Sequence, residues 1–262
     1  MLKNINLKRS KLALKKRVNL TEMDLLKTFL KCVSPVKTHH QLIRMGGGND
    51  GGYLLPDDLT DIKACFSPGI ADSASFELDL ANMGIPSFMA DYSVNQAPVQ
   101  SPLFHFQKKF IGLSNDSVYM TLGDWVSSCA PVNGDLILQM DIEGAEYGSI
   151  IATNSDILTR FRIIVIEFHD LDNLFYKYSF HLMKLAFDKL LTNFAVVHIH
   201  PNNYSQPIRH GDIEIPPLLE FTFLRKDRFS NSSSVEKLPH TLDAPCCPNL
   251  KDFELPRSWY NT

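Results

Sequence analysis

Two carboxylates, Asp141 and Glu143, follow directly on the apolar run Leu136 to Met140 in GDLILQMDIEGAEYGS, residues 134–149. A run that short and that apolar predicts a strand buried on both faces of a parallel sheet, so the first acid after it falls at the carboxyl edge. Open α/β sheets bind their ligands at that edge, and an acid there lies close to the chemistry. His169 follows the apolar run RIIVIEF in the same way, and His198 and His200, two apart in a later run, share one strand face with His200 nearer the edge. Imidazole has the unperturbed pKa best suited to proton transfer near neutrality, although a lone histidine also has a purely structural reading.

The elements that must position these groups alternate between strand and helix signals from residue 62 onward, the pattern of a parallel sheet with crossover helices. Strand one spans Ile62 to Ser67 and leads into the turn Pro68-Gly69-Ile70-Ala71-Asp72. A helix from Ser73 or Ser75 to Met83 closes at Gly84, and strand two, Ser87 to Ala90, ends at Asp91. Phe104 to Leu113 reads as strand three and Thr121 to Cys129 as the next helix. Leu136 to Met140 is strand four and Arg162 to Phe168 strand five. A long helix, about Phe175 to Asn193, precedes strand six, Ala195 to His200, and Glu220 to Leu224 is strand seven. Upstream, Thr21 is placed to cap a helix from about Glu22 to Cys32. Residues 41–59 hold five of the 13 glycines within seven positions, which fits either a loop beside a ligand or a hairpin turning at Asn49-Asp50-Gly51. No Lys-Ser/Thr ending makes it a Walker loop.

The first two strand-helix units together carry a glycine-bearing turn and an acid ending the second strand. That arrangement holds an adenosine: the glycine admits the backbone and the carboxylate accepts the ribose hydroxyls. The turn SPGIAD has a single glycine, where a pyrophosphate asks for two or three and a free helix N-terminus. Asp72 near that terminus would repel a phosphate and could meet a cation. S-adenosylmethionine, with a sulfonium, an ammonium and no phosphate, fits this pattern better than NAD.

The run CFSPGIADSASFELDLANMGIPSFMADYS, followed by LGDWV and LILQMDIEGAE, resembles the FkbM-type S-adenosylmethionine-dependent methyltransferases. GGGNDGGYLL is similar to a segment common in one bacterial branch of that family, and the resemblance spans roughly residues 40–226. Ser67, where many methyltransferases carry an acid, and Pro68 and Ile70 depart from the pattern. The resemblance implies an α/β, Rossmann-like seven-stranded class I sheet, six strands parallel and the seventh inserted antiparallel, with helices on both faces. It implies methylation of a hydroxyl oxygen, often on a sugar of a glycan, a nucleotide-sugar or a glycosylated natural product. Position by position, Ser67, Gly69 and Asp72 would line the methionine end of the cofactor. Asp91 would hold the ribose with Tyr92 beside the adenine, and Gly112 and Leu113 would belong to the adenine pocket. Asp141 would face the transferred methyl, while Asn49, Asp50 and Gly51 could close over cofactor or acceptor.

In-line displacement at a sulfonium methyl needs alignment of acceptor oxygen, methyl and sulfur, and removal of a weakly acidic proton. Asp141 and His169 are the expected orienting and deprotonating groups, with His200 next. A divalent metal is a possible addition without a committed ligand set, since Asp141, Glu167 and Asp170 could offer hard oxygens but Glu167 and Asp170 fall out of phase. Glu143 reads either as an active-site acid or as a helix-opening residue near the dipole, and Glu146 as a helix-opening residue packed over the next strand. The polar stretch HIHPNNYSQPIRHGD, residues 198–212, reads as a substrate lip or as an ordinary exposed loop.

The 262 residues, formal net charge of -3 and 44% hydrophobic content describe an ordinary globular chain and call for no nucleic-acid partner. Five scattered cysteines without a CxxC pair fit a reducing cytoplasm, and Cys246-Cys247 reads as incidental thiols, a metal pair or a bridge. No segment approaches the about 18 apolar residues of a membrane span. The interleaved basic and apolar residues from Leu2 to Arg17 suit either a peripheral contact with anionic lipid or a solvated extension. The expected division is a basic helical N-terminal appendage (1–40), a methyltransferase domain (41–229) and an irregular tail (230–262), with the oligomeric state left open. The rival readings are a nicotinamide-dependent oxidoreductase and a non-catalytic binding module on the same fold.

Overall fold

The computed structural model describes residues 19–260, so the basic run from Leu2 to Arg17 lies outside the described residues. Helix α1 (Met23–Cys32) places Leu26, Phe29 and Leu30 on one face at the three- and four-residue spacing of a buried stripe. Thr21 does not cap it: Glu22 holds that position, and the Thr21 hydroxyl donates instead to the Leu174 carbonyl at 2.7 Å, tying the segment before α1 to the main body. After β1 (Val36–Lys37), the glycine-rich segment is a hairpin, β2 (Leu42–Met45) paired antiparallel with β3 (Tyr53–Pro56).

The strand-helix alternation then unfolds as β4 (Ala64–Pro68), α2 (Ser75–Asn82), β5 (Ser87–Ala90) and β6 (Phe104–Gln107). The expected third strand breaks at Lys108-Lys109, where the Lys109 amide turns back onto the Gln107 carbonyl at 2.9 Å. Its second half, β7 (Phe110–Gly112), leaves the main sheet and pairs parallel with β8 (Tyr119–Thr121). Helix α3 (Leu122–Cys129) starts at a Thr121 side-chain cap on the Asp124 amide. Next come β9 (Leu136–Met140), α4 (Glu146–Ala152), the short α5 (Ser155–Leu158) and β10 (Phe161–Phe168). The long helix α6 (Lys177–Asn193), β11 (Phe194–Pro201), the small hairpin β12 (Ile208–His210) and β13 (Ile213–Ile215), and β14 (Leu219–Arg225) complete the order.

Seven strands form one sheet in the order β11-β14-β10-β9-β4-β5-β6. All pairs from β10 to β6 are parallel, and β14 runs antiparallel between β10 and β11. This is the six-plus-one sheet expected from the sequence. One face is covered by α1, α3, α4 and α6, with Phe29, Trp125, Tyr147 and Phe187 in a continuous core; the other face is covered by the β2–β3 hairpin and α2.

Both ends of the described part of the chain pack into the first of these cores, with Leu26, Phe29 and Leu30 at most 2% exposed. In the largely irregular segment after residue 230, Trp259 is wholly buried against Phe221 and its indole N–H donates to the Glu214 carbonyl at 2.9 Å. Trp259→Ala should therefore cost about 3–5 kcal/mol of stability, the range for emptying an aromatic site in a core. Urea unfolding followed by circular dichroism checks this; a loss below ~1 kcal/mol would mean that the tail is not part of the cooperative unit.

Candidate functional site

The sheet runs outward from β4 in one direction and from β9 in the other, so the crevice between these two strands is its topological switch point. There the turn after β4 touches the turn after β9. The Asp141 amide donates to the Pro68 carbonyl at 3.2 Å, and a Cβ on Gly69 would lie 1.5 Å from the Asp141 carbonyl oxygen. Gly69 also has φ +84°, a conformation that glycine adopts without penalty. Ala71 follows with φ 42° and is fixed by its amide donating to Asp91 Oδ2 at 2.9 Å.

Two hollows open on either side of this contact and share Gly69, Ala71 and Asp141 in their walls. The first, about 160 Å³, is lined by the carboxylates of Asp50, Asp72, Glu77 and Asp141, with Gly51 and Tyr53 from the hairpin. The second, about 490 Å³, has Asp91 at its base and Phe110, Ile111, Tyr119, Ile142 and Ala145 around it. No lysine or arginine lines either one among the described residues. Such a cleft suits a ligand with positive charge at one end and a flat apolar body at the other.

The acids of the crevice are organised by Glu146, which is wholly buried at the start of α4. Its Oε1 accepts from the Ile142 amide at 3.1 Å, the Gly144 amide at 3.0 Å and lies 3.2 Å from His169 Nδ1. Tyr147, the next residue, donates its hydroxyl to the His169 carbonyl at 2.8 Å. Side chain and backbone of His169 are thus both held by α4, and the other ring nitrogen, Nε2, lies 3.7 Å from Asp141 Oδ1 and 3.4 Å from Glu143 Oε2. Glu143 and Asp170, with φ 55° and 54°, sit in the left-handed region in the two turns that face each other here. Strained backbone of this kind collects at functional sites.

The charge states follow from burial and neighbours. Burial pushes Asp141 up to about 7, with the His169 charge opposing and Glu143 and Asp50 adding to the rise. Burial works against a charge on His169, but the Glu146 hydrogen bond and the surrounding carboxylates outweigh it and push the imidazole up to about 9. An imidazolium has no free lone pair to receive a proton, so at neutral pH this environment argues against His169 as the base and favours Asp141. Asp141 Oδ1 is buried without a hydrogen-bond donor, its nearest basic group being His169 Nε2 at 3.7 Å.

Several expected residues come together here. Asp50, Gly51, Gly69, Asp72, Asp91 and Asp141 line the cleft. Asp91 is largely engaged: Oδ1 accepts from the Ser93 amide and hydroxyl, both at 2.7 Å, and Oδ2 from Ala71. Three of its about four acceptor positions are thus taken within the protein. Tyr92 stands beside Phe110, ring centroids 5.5 Å apart, but lines neither hollow.

Others do not line the cleft. Asn49 is exposed, its carbonyl closing the hairpin turn on the Gly52 amide. Ser67 is wholly buried beneath the cleft, where its hydroxyl meets Glu77 and Gln139. Gly112 and Leu113 border a separate depression with Thr121 and Leu122, because β7 left the main sheet and turned Phe110 and Ile111 to the cleft instead. His200 is 4% exposed and lies 3.3 Å from Glu220 Oε2, away from both hollows, so it is no alternative base. Glu167, 3% exposed, accepts from the Asn202 amide nitrogen rather than joining Asp170 and Asp141 as a ligand set. At the crevice the ligand atoms that gather within 4.8 Å of one another are those of Asp141, Glu143 and His169; a second such set, His200, Glu220 and Cys246, lies away from it.

Sequence reasoning missed Glu77, Gln139 and Tyr53. Glu77 lies on the inward face of α2 between Phe76 and Leu80, and Gln139 interrupts an otherwise apolar strand. A polar residue at an inward position was the available signal. Burial pushes Glu77 above the usual carboxylate range. It supplies, from the helix, the acid that Ser67 lacks at the strand's end.

No family model and no curated protein matches the chain. Among solved structures it is similar to magnesium protoporphyrin IX methyltransferase from Synechocystis with bound SAH, at 11% identity over 63% of this chain and 75% of that one, TM-score 0.33. It is also similar to a structure concerned with conversion of a disulfide bond into a thioacetal group during echinomycin biosynthesis, at 13% identity over 62% and 76%, TM-score 0.31. A third is a proposed methyltransferase from Thermoplasma acidophilum, at 6% identity over 72% and 85%, TM-score 0.34. At such scores none of the three carries weight for the chemistry, which rests on the geometry of the site.

Glu146→Gln keeps an oxygen for the Ile142 and Gly144 amides but removes the charge next to His169. The His169 pKa should fall from about 9 toward the ordinary imidazole value, as read by an NMR titration of the ring protons. An unmoved titration would mean that Glu146 does not hold the proton on His169.

Proposed function

We propose that this chain is an S-adenosylmethionine-dependent O-methyltransferase that acts on a carbohydrate hydroxyl. The observation that carries the reading is the two-part cleft at the switch point, acid-lined at one end, aromatic and aliphatic at the other, with no basic side chain in its wall. The group fits the residues present. The carboxylates of Asp50, Asp72 and Glu77 would meet the ammonium and sulfonium, Asp91 the ribose, and Phe110, Ile111 and Tyr119 the adenine. A dinucleotide's pyrophosphate would find repulsion there, which sets the oxidoreductase reading aside. The carbohydrate acceptor rests on the sequence resemblance.

When bound, the cofactor supplies an electrophilic methyl; this chain's residues hold the two partners in line and take up a proton. In this reading Asp141 removes the proton from the acceptor hydroxyl, its pKa of about 7 being matched to a base working near neutrality. His169, kept as an imidazolium by Glu146, positions Asp141 and neutralises the site as the base empties. The loop expected as a substrate lip is partly committed elsewhere, since Asn202 serves Glu167 and Asn203 the Cys247 backbone. Tyr204, 71% exposed, remains available to meet an acceptor, whereas the β12–β13 hairpin is engaged through the Asp212–Lys27 ion pair and the buried Ile213 and Ile215. Five free thiols fit a reducing compartment, in keeping with a cytoplasmic enzyme. No helix among the described residues is long and apolar enough to cross a membrane.

The primary test is transfer of labelled methyl from S-adenosylmethionine to a panel of nucleotide-sugars, beside a thermal-shift comparison of S-adenosylhomocysteine with NADH. Stabilisation by NADH alone would replace this reading with the oxidoreductase. Asp91→Ala should weaken S-adenosylhomocysteine binding by about 1–3 kcal/mol in calorimetry, and an unchanged affinity would remove it from the site. Asp141→Asn should lower turnover by ~100-fold or more with cofactor affinity retained.

The pH dependence has a definite sign. The base must be ionised, so kcat/KM should climb as pH rises through about 7, and the imidazolium must persist, so it should decline above about 9. The two limbs belong to the Asp141–His169 pair jointly. A profile flat between 6 and 8, about a unit either side of the lower limb, would take Asp141 out of the proton-transfer role.

A further inference from the structure

We propose that Cys246, His200 and Glu220 form a buried site for one zinc-class divalent cation, which fastens the irregular C-terminal segment to the sheet. The three ligands come from three places in the chain. His200 and Glu220 face each other across the β11–β14 register, and Cys246 reaches them from Pro245-Cys246-Cys247-Pro248. All three residues are at most 5% exposed. Cys246 Sγ lies 3.2 Å from Glu220 Oε1 and 4.0 Å from His200 Nδ1, and His200 Nδ1 lies 3.3 Å from Glu220 Oε2. Ligand atoms on a tetrahedral zinc stand about 3.3–3.6 Å apart given the usual metal–ligand lengths. The thiol and the imidazole approach different oxygens of Glu220, so closing the trio on one ion takes a turn of that carboxylate, or its bidentate use, together with a few tenths of an ångström of approach between sulfur and imidazole.

The donor set selects the class of ion. Thiolate with imidazole suits zinc and its neighbours and is wrong for magnesium or calcium, which take oxygen. Charge points the same way. Glu220 stands directly opposite Glu167 on the antiparallel partner β10, both nearly fully buried, and like charges so placed are unfavourable. Among the described residues no lysine or arginine pairs with either acid; Glu220 meets the His200 imidazole and the neutral Cys246 thiol, and Glu167 the Asn202 side-chain amide. A divalent cation offsets this excess where a single imidazole does not.

The thiol is also held ready. The Cys246 carbonyl accepts from the Asp50 amide at 3.1 Å, and the buried Asn203 brackets Cys247, accepting from its amide at 2.7 Å and donating to its carbonyl at 2.9 Å. Such supporting bonds are what orient ligands in metal sites. Binding forms bonds to sulfur, nitrogen and oxygen and releases the thiol proton and the Nδ1 proton to solvent. It leaves one coordination position for water. Through the Asp50 contact the site would also steady the hairpin wall of the cleft.

The test is titration of the full chain, reduced and stripped with EDTA, with cobalt(II). One equivalent should produce a thiolate-to-cobalt charge-transfer band that one equivalent of zinc abolishes, and zinc should raise the unfolding temperature. Cys246→Ser should lose the band and the zinc-dependent shift, while Cys247→Ser and Cys32→Ser keep both. The Asp141, Glu143 and His169 cluster has no sulfur and cannot give this band. Absence of the band in the unsubstituted chain overturns the proposal without needing any variant to fold, and so does a band that survives Cys246→Ser or disappears with Cys247→Ser. Binding of S-adenosylhomocysteine, measured alongside, reports separately on the proposed function.

Discussion

The site depends on one backbone contact, the approach of Gly69 to the carbonyl of Asp141 where the sheet reverses its winding direction. Any side chain at Gly69 would wedge the β4 and β9 turns apart. Because the turns touch, the hollow on the hairpin side and the hollow over Asp91 share a wall, and a single elongated ligand can lie across both. The same contact puts Asp141 in the wall common to both hollows.

A second layer fixes charge. Glu146 gathers the amides of Ile142 and Gly144 and the ring of His169 on one oxygen, so the loop that carries Asp141 and the strand end that carries His169 are tied to the same carboxylate. Its charge holds a proton on His169 while burial raises Asp141. Along β10 the polarity of the sheet is plain: Arg162 at the amino end is paired with Asp58 and Asp135, and Glu167 at the carboxyl end lies among other acids. The acids left without basic partners concentrate where the cleft is, and that gradient favours a cationic ligand.

Legibility from the sequence varied with the kind of signal. Strand four, strand two and the acids that end them could be read because a strand buried on both faces is a continuous apolar run and its first polar residue marks the edge. The third strand could not be followed past Lys108-Lys109, since the composition of Phe104 to Leu113 does not say whether its second half pairs in the main sheet or with Tyr119–Thr121. That ambiguity moved the aromatic wall from Gly112 and Leu113 to Phe110, Ile111 and Tyr119. His169 looked like a base because position alone was visible; the three carboxylates that hold its proton come from β9, its loop and α4.

By itself the sequence determined the fold class, the direction in which the strands present their ends, and which acids stand at those ends, because periodicity and chain order encode these locally. Tertiary structure alone decided the charge on His169, the burial of Ser67 and His200, and the meeting of His200, Glu220 and Cys246. Each of these depends on which distant segments share a low-dielectric space, and a one-dimensional pattern holds no record of that.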